Sequence, residues 1–345
     1  MTSLKGSEFI SVIIPCFNEK DFIGECFDSV LEQDYLKKNK EHIEILVVDG
    51  ISNDGTREII GSYSIKYPFI KLLDNYKKFT PFAINIGIKE AKGDIIIRLD
   101  AHAKYNKDYI SKCVKYLQNL NADNVGGICI TLPGKNSFIA KSIALALSHP
   151  FGIGNSYFRR GIKEIKEVDT VPFGCYRKEV FKKIGLFNEN LIRNQDIEFN
   201  LRLKRAGGKI LLCPDIVSYY YARPDLKSLF KQNFLNGFWV IYSLRYANIP
   251  FSYRHLVPFA FVLFLLIGSL ITLFYKNFLY LLVGVLSVYG ISDIISSLTL
   301  SLKHGLQYFP FLLVTFPTLH FSYGLGSLWG FIKLVVSKLK GNKNG

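Results

Sequence analysis

The chain has 345 residues, 49% of them hydrophobic and 21% charged, with a net charge of +15 and six cysteines. That apolar fraction excludes a disordered chain, and six cysteines in so long a chain exclude a disulfide scaffold. The length allows two or three structural units, and a mean hydropathy of +0.19 averages two unlike regions.

The front of the chain alternates short β-rich runs with helical stretches. Residues 9–15, 43–49, 70–74, 95–100 and 125–131 are expected to form buried strands. Residues 21–33, 56–67, 80–91 and 107–119 are expected to form the helices between them. Thr80-Pro81 is expected to cap the third of these with Pro at its first position, and Gly93 to close it. This alternation predicts a mostly parallel sheet with helices on both faces. Ligands of such sheets bind at the carboxyl ends of the strands. The apolar run at 9–17 is too short for a signal-peptide core and ends in Pro-Cys-Phe-Asn-Glu, so the front is expected to remain in the cytosol. Cys16, Cys26, Cys113, Cys129, Cys175 and Cys213 form no CxxC pair, and reduced core cysteines are expected.

The tail is different. Residues 256–275 contain no charge, about the length a helix needs to cross a bilayer core. Residues 278–302 form a second apolar stretch with one acid, Asp293, and residues 306–332 a third that contains Pro310 and Pro317. Six lysines and one acid lie beyond residue 255, so the tail carries +5 of the charge and the front +10. Two spans are expected, followed by a third region whose path is left open, as re-entrant, interfacial or a Pro-broken hairpin. Three spans would put the C-terminal lysines opposite the basic front, against the positive-inside rule. Apolar residues at helical spacing from 226 to 244, with Lys227, Lys231 and Arg245 nearby, suit a helix on an anionic bilayer, one packed on the catalytic domain, or both.

Polar residues gather at the strand ends. The first strand leads into Pro15, Asn18 and Glu19. The second leads into DGISNDGT, residues 49–56, where Asp49 can accept from a base or ribose and Gly50 and Gly55 permit a tight turn. A plain strand–turn–helix connection reads the same way. The fourth leads into Asp100-Ala101-His102. A carboxylate and an imidazole on one side of an extended chain suit Mn²⁺ or Mg²⁺ on a diphosphate; a turn-capping Asp beside a surface His is the alternative. Asn194-Gln195-Asp196 opens a helix whose dipole favours an ionised Asp196, a candidate general base or an ordinary first-turn acid.

In order, SVIIPCFNE, VVDGISNDGT, AINIGIKEAKGDIIIRLDAH and FGCYRKEVFKKIGLFNENLIRNQDIEFNLRLKRAGGKI resemble the signature of family 2 glycosyltransferases of the GT-A fold, over roughly residues 9–250. The chain is most similar to the succinoglycan-type exopolysaccharide sugar transferases, through DAHA, VDTVPFGCYRKEVF, NQDIEFNLRLKRAG and the Arg223-Pro224…Gln232-Asn233-Phe234 segment. The resemblance implies an α/β GT-A sheet with flanking helices and a C-terminal transmembrane region. It divides the chain into a catalytic domain at 1–222, an amphipathic helix at 223–254, membrane helices at 255–335 and a basic tail at 336–345.

It also implies an inverting transfer of one sugar from a nucleotide-sugar, expected to be a UDP-hexose. Asp49 would read the base, with Pro15, Asn18 and Glu19 beside it. Asp100 would bind the diphosphate through a divalent cation (Mn²⁺ or Mg²⁺), with His102 as second ligand where the wider family has Asp. Asp196 would take the acceptor proton, and Gly174 would leave room for the donor sugar. Gln195 stands where an acid is usual. His149, Arg159, Arg160 and Gln195 are candidates for acceptor or diphosphate contacts.

The expected acceptor is a lipid-linked glycan for cell-surface polysaccharide. The enzyme would sit in a bacterial or archaeal inner or plasma membrane, against its lipids, with a cytosolic catalytic domain. Gln232 and Trp239 match the Gln-x-x-Arg-Trp motif of processive synthases in neither spacing nor Arg, so single addition is expected. Transfer to polyprenyl phosphate and a non-catalytic membrane scaffold are the alternatives. Without an aromatic-interleaved basic stripe, nucleic acid is not an expected partner.

Overall fold

A computed structural model describes residues 8–247 and 253–341. The chain divides into two compact units, one of Met1–Ile130 with Tyr157–Tyr220 and one of Thr131–Ser156 with Tyr221–Gly345. Residues 248–252 of the expected 223–254 segment and residues 342–345 of the expected 336–345 tail lie outside the described residues.

The first unit is built on one mixed sheet. Its strands among the described residues are β1 (Ile10–Cys16), β2 (Ile43–Asp49), β3 (Ile70–Asp74), β4 (Ile95–Arg98), β5 (Ala103–Tyr105), β6 (Asn124–Leu132), β7 (Lys166–Glu167), β8 (Cys175–Arg177) and β9 (Ile210–Tyr221). The order is β3-β2-β1-β4-β8-β6-β9-β5, with β7 beside β9. The first four strands are parallel, as their apolar runs suggest. Beyond β4, the pairings of β4 with β8, β8 with β6, and β9 with β5 and β7 are antiparallel. Strands β5 and β8 have three residues each, too few for a hydrophobic period to mark them in sequence.

All seven residues of β2 are buried, as in a strand covered on both faces. The pleat sends alternate residues to opposite faces. Ile10, Val12, Ile14, Ile45, Val47, Ile95 and Ile97 join one core, while Ile13, Leu46, Val48 and Ile96 join the other. Glu44 is the exception in this apolar strand. It accepts from Ser11 Oγ at 2.8 Å, Lys71 Nζ at 2.9 Å and the Lys92 N–H at 2.7 Å. Burial alone would raise its pKa, but these donors hold it below the ordinary value. Gly93 completes the knot: its N–H donates to Ser11 Oγ, and a Cβ there would lie 2.5 Å from the Ser11 nitrogen. Gly93 thus serves close backbone approach, while the helix Thr80–Glu90 ends before it at Ala91 and is capped by Phe79, not Thr80. All six cysteines are free and buried.

The second unit is helical. Residues 131–156 belong to it because Ile143 and Ala146 of the helix Phe138–Ala146 pack with Leu229, Leu312, Phe316 and Leu319. Among the described residues, three helices are long and apolar enough to cross a membrane, at His255–Phe274, Phe278–His304 and Leu306–Leu339. The first two are 11% and 6% buried over their most apolar windows, and the third is 44% buried. The third region is a 3₁₀ turn followed by one continuous helix, Phe309–Gly341, with Pro317 inside it; it is not a broken hairpin. At about 1.5 Å per residue its 33 residues outrun a hydrocarbon core of about 30 Å.

The helix Leu226–Tyr242 explains the third helix's burial. Asp225 caps it by accepting from the Ser228 N–H at 2.8 Å. Its backbone meets the long helix directly: Cβ atoms at Gly326 and Gly330 would collide with Phe234 O and Phe238 O, and one at Gly237 with Tyr323 O. The expected membrane-surface helix is therefore packed on protein along this face. Inside the same unit, the His320 ring joins Phe151 O at 2.8 Å through Nε2 and Tyr289 Oη at 2.9 Å through Nδ1.

Candidate active site

Two loops at the carboxyl end of the parallel strands are tied to each other. The Asn18 N–H donates to Ser52 Oγ at 2.8 Å and the Asn53 N–H returns to Asn18 Oδ1 at 3.1 Å. The Glu19 N–H donates to Thr56 Oγ1 at 2.9 Å, and the Lys20 N–H to Asp54 Oδ2 at 3.2 Å. Asn18 and Ile51 both have positive φ, near 55° and 59°, a conformation asparagine tolerates and isoleucine does not favour. Pro15 remains within β1, opposite Val48.

Asp49 closes β2 and is fully buried. It accepts from the Ser52 N–H and hydroxyl at 2.9 and 2.5 Å and from Arg57 at 2.8 Å. Arg57 also reaches Asp74 at 2.8 Å. Both Asp49 oxygens are therefore engaged within the loop and the helix after it.

The chain behaves otherwise after β4. The strand ends at Arg98, and Ala101 and His102 form a turn. The extended Asp-x-His geometry expected from sequence is absent, because Tyr105 folds the chain back: its hydroxyl accepts from the Asp100 N–H at 2.7 Å. Asp100 keeps 22% of its side chain exposed. His102 Nδ1 meets Glu19 Oε1 at 3.1 Å, and its ring packs edge-on to Phe22 and Tyr220.

Asp196 lies in the first turn of the helix Gln195–Arg205, after Asn194 in the left-handed conformation. It comes together with Asp100 on one guanidinium. Arg98 donates to Asp196 Oδ2 at 2.6 Å and to Asp100 Oδ1 at 2.9 Å. Asp196 Oδ1 is buried and makes no hydrogen bond among the described residues. Burial raises the Asp196 pKa, with Arg98 opposing it. Burial likewise disfavours the Arg98 charge, and Asp100 and Asp196 outweigh it and keep the guanidinium protonated.

Other expected residues fall elsewhere. Gln195 is buried. A Cβ at Gly174 would lie 2.6 Å from Asn124 Oδ1 and Tyr176 Oη, so its missing side chain is required by the interior. Arg159 lies 5.1 Å from the Tyr220 ring centroid, beside the ring that His102 touches, and Arg160 is exposed. His149 belongs to the second unit, where it packs against Phe316 and accepts from the Phe151 N–H at 3.3 Å. Sequence reasoning missed Arg98 and Arg57. The signals were an arginine closing a triple-isoleucine strand and a basic residue in a helix's first turn, where the dipole disfavours it.

Among the described residues no three His, Cys, Asp or Glu side chains converge to hold a metal. The donor set nevertheless suits a cation that arrives with phosphate oxygens. Mg²⁺-type sites often use one or two carboxylates plus substrate phosphates, and Asp100 is partly exposed. The His102–Glu19 pair matches the carboxylate–imidazole arrangement that orients a metal-binding histidine.

The sequence matches the family described as "Glycosyl transferase family 2" over residues 11–185. It is 35% identical over 272 residues to a dolichyl N-acetyl-alpha-D-glucosaminyl phosphate 3-beta-D-2,3-diacetamido-2,3-dideoxy-beta-D-glucuronosyltransferase of Methanococcus voltae, covering 76% of this chain and 82% of that one. It is 31% identical to the succinoglycan biosynthesis protein ExoA of Rhizobium meliloti, over 66% of this chain and 67% of that one. The fold matches the Pyrobaculum calidifontis mannosyltransferase PcManGT, solved with GDP-Man and Mn²⁺, with TM-score 0.58, 18% identity and coverage of 93% and 87%. The mixed sheet with flanking helices is thus the GT-A architecture, and the chain belongs to glycosyltransferase family 2 and is a glycosyltransferase.

Proposed function

We propose that this enzyme moves a single sugar, with inversion, from a nucleotide-sugar to a lipid-linked glycan at a membrane. The observation that carries the reading is the placement of Asp196. One oxygen is fixed by Arg98 while the other is buried and uncommitted, as suits a base awaiting a hydroxyl proton. The acceptor oxygen attacks the anomeric carbon as its proton passes to Asp196 Oδ1. The bond to the nucleoside diphosphate breaks on the opposite face, and the electron pair leaves with the diphosphate.

Asp100 is the carboxylate that would hold a divalent cation, with His102 Nε2 as the second protein donor while Glu19 engages Nδ1. Such a cation neutralises charge that builds on the departing diphosphate. The tied loops of Asn18, Glu19 and Asp49–Thr56 shape the wall for the nucleoside. Asp49 acts through the loop it fixes, since its oxygens are already taken. Arg159, beside Tyr220, is a candidate for an acceptor phosphate.

Two supports favour a lipid-linked acceptor. The Methanococcus voltae relative is named for a dolichyl-linked sugar phosphate, and three helices here have the length and apolarity to cross a membrane. The catalytic unit would face the cytosol, and its basic surface would favour anionic substrates and lipid. The test offers the full chain in nanodiscs a panel of nucleotide-sugars with Mn²⁺ or Mg²⁺, and polyprenyl-diphosphate-sugar beside polyprenyl phosphate. Glycosylation of the sugar-bearing lipid is expected. Product from bare polyprenyl phosphate alone would replace this acceptor assignment, and unimpaired transfer by Asp196→Asn would overturn the catalytic one.

A further inference from the structure

We infer that Arg98 is a positioning residue that couples the donor side of the site to the base, by holding Asp100 and Asp196 on the two arms of one guanidinium. The inference rests on the roles proposed above for those two aspartates.

A charged side chain is expensive in this place. Arg98 is 9% exposed and follows three buried isoleucines. An ion so buried is tolerated when it is paired and hydrogen-bonded. Its backbone is held at a fixed height in the sheet, since its N–H donates to Gly174 O at 3.0 Å and it pairs with Ile13 of β1. The guanidinium is a rigid planar fork. It therefore sets the spacing of two carboxylates that arrive from different parts of the chain, 98 and 2 residues away.

Two other arginines in the same unit show what a structural arginine looks like here. Arg202 grips one carboxylate, Glu198, through both Nε and Nη2, and donates to the Ile184 and Leu186 carbonyls. Arg177 donates to the Ala122 and Leu117 carbonyls. Arg98 donates its side-chain hydrogen bonds to the two site carboxylates, while its Nε is buried without a partner among the described residues. An arginine that served packing alone would be satisfied as those two are. The arrangement links the sites: when Asp100 turns toward a diphosphate-bound cation, its pull on one arm changes, and the other arm carries that change to Asp196.

The experiment uses Arg98→Lys and Asp196→Asn in the full chain, with Arg202→Lys as structural control. Lysine keeps the charge but, as a point cation, does not reproduce a planar fork. Arg98→Lys is expected to lower kcat about 10–100-fold, the range for groups that orient first-contact residues, with acceptor KM within about twofold. Arg202→Lys is expected to lower the melting temperature without lowering kcat per folded molecule.

Calorimetric binding of UDP with Mn²⁺ supplies the readout that does not depend on turnover. Asp196→Asn, though proposed to touch neither nucleotide nor cation, is expected to weaken that binding about fivefold, the lower end of ordinary coupling between sites. In the Arg98→Lys background the same change is expected to have an effect of less than twofold. Undiminished kcat in Arg98→Lys, or an Asp196→Asn effect on binding that is equal in both backgrounds, would overturn the coupling. If Arg98→Lys does not fold, unchanged UDP–Mn²⁺ affinity in Asp196→Asn alone overturns it. Loss of the base assignment reads out separately, as undiminished transfer by Asp196→Asn.

Discussion

At the end of β2, Asp49 has no exposed surface and is bonded by Ser52 and Arg57. Two strands away in the same sheet, Asp100 ends the run begun by β4 with about a fifth of its side chain exposed, and shares Arg98 with Asp196. Both are aspartates after a run of buried aliphatics, and both pair with an arginine. The difference lies in where the arginine comes from. Arg57 sits in the helix that follows Asp49, so that pair is local and closes its own loop. Arg98 reaches across to a helix almost a hundred residues later, so that pair assembles a site. On the proposed reading, the strand-end carboxylate that serves the chemistry is the one whose arginine also reaches a distant acid with an uncommitted oxygen.

The largest effect should come from Asp196. Asp196→Asn keeps the size of the side chain and removes the base, and transfer should fall about 10²–10⁴-fold. The melting temperature should also fall, because the change removes one of the two carboxylate charges that pair with the buried Arg98. Initial-rate assays beside a thermal melt check both halves. Since burial raises the Asp196 pKa, the wild-type rate should fall with decreasing pH above the ordinary carboxylate range, as the base becomes protonated. A kcat/KM profile with no acid limb above the ordinary carboxylate range would contradict this assignment.

Asp100→Ala should follow, with a loss of about 10²–10³-fold, the scale for removing one electrostatic stabiliser of developing charge. Excess Mn²⁺ should restore part of it, since the cation retains the diphosphate oxygens. Asp49→Ala should show the opposite profile. It abolishes three hydrogen bonds to a buried carboxylate and should cost about 1–3 kcal/mol of stability, read as a lower melting temperature. Its kcat at saturating donor should stay within about tenfold of wild type, while donor KM rises as the loop loosens. A kcat loss equal to that of Asp100→Ala, with unchanged melting, would erase the distinction between the two strand ends.

Much of this was legible in the chain. The parallel strands announced themselves as aliphatic runs, and the family resemblance pointed to Asp100 and Asp196, which the fold brings together on Arg98. What sequence concealed depended on distant packing. Gly174 looked like room for a sugar, yet Asn124 and Tyr176 fill that room. His102 looked in line with Asp100, yet Tyr105 turns the chain between them. Leu226–Tyr242 looked suited to a bilayer surface, and its glycine-mediated contact with Phe309–Gly341 is invisible to periodicity. Arg98 was concealed for the same reason, since its meaning depends on a partner 98 residues away.

The finest test of the comparison concerns Glu19, which joins the two strand ends. Its N–H belongs to the β2 side through Thr56, and its carboxylate to the β4 side through His102. If that carboxylate formed only a surface pair with the imidazole, both partly exposed, Glu19→Gln would alter the rate no more than about fivefold, the reach of an exposed ion pair of about 1 kcal/mol. If the carboxylate orients His102 toward a cation, the Mn²⁺ concentration needed for half-maximal transfer should rise about tenfold, with kcat at saturating Mn²⁺ preserved. The second outcome is expected, because the Glu19 backbone is itself anchored by Thr56 and so holds the carboxylate in place. A melting temperature within about two degrees of wild type would confirm that the change acts on the β4 side alone. An Mn²⁺ requirement unchanged within twofold would leave His102 outside the cation's reach and Asp100 as its protein ligand.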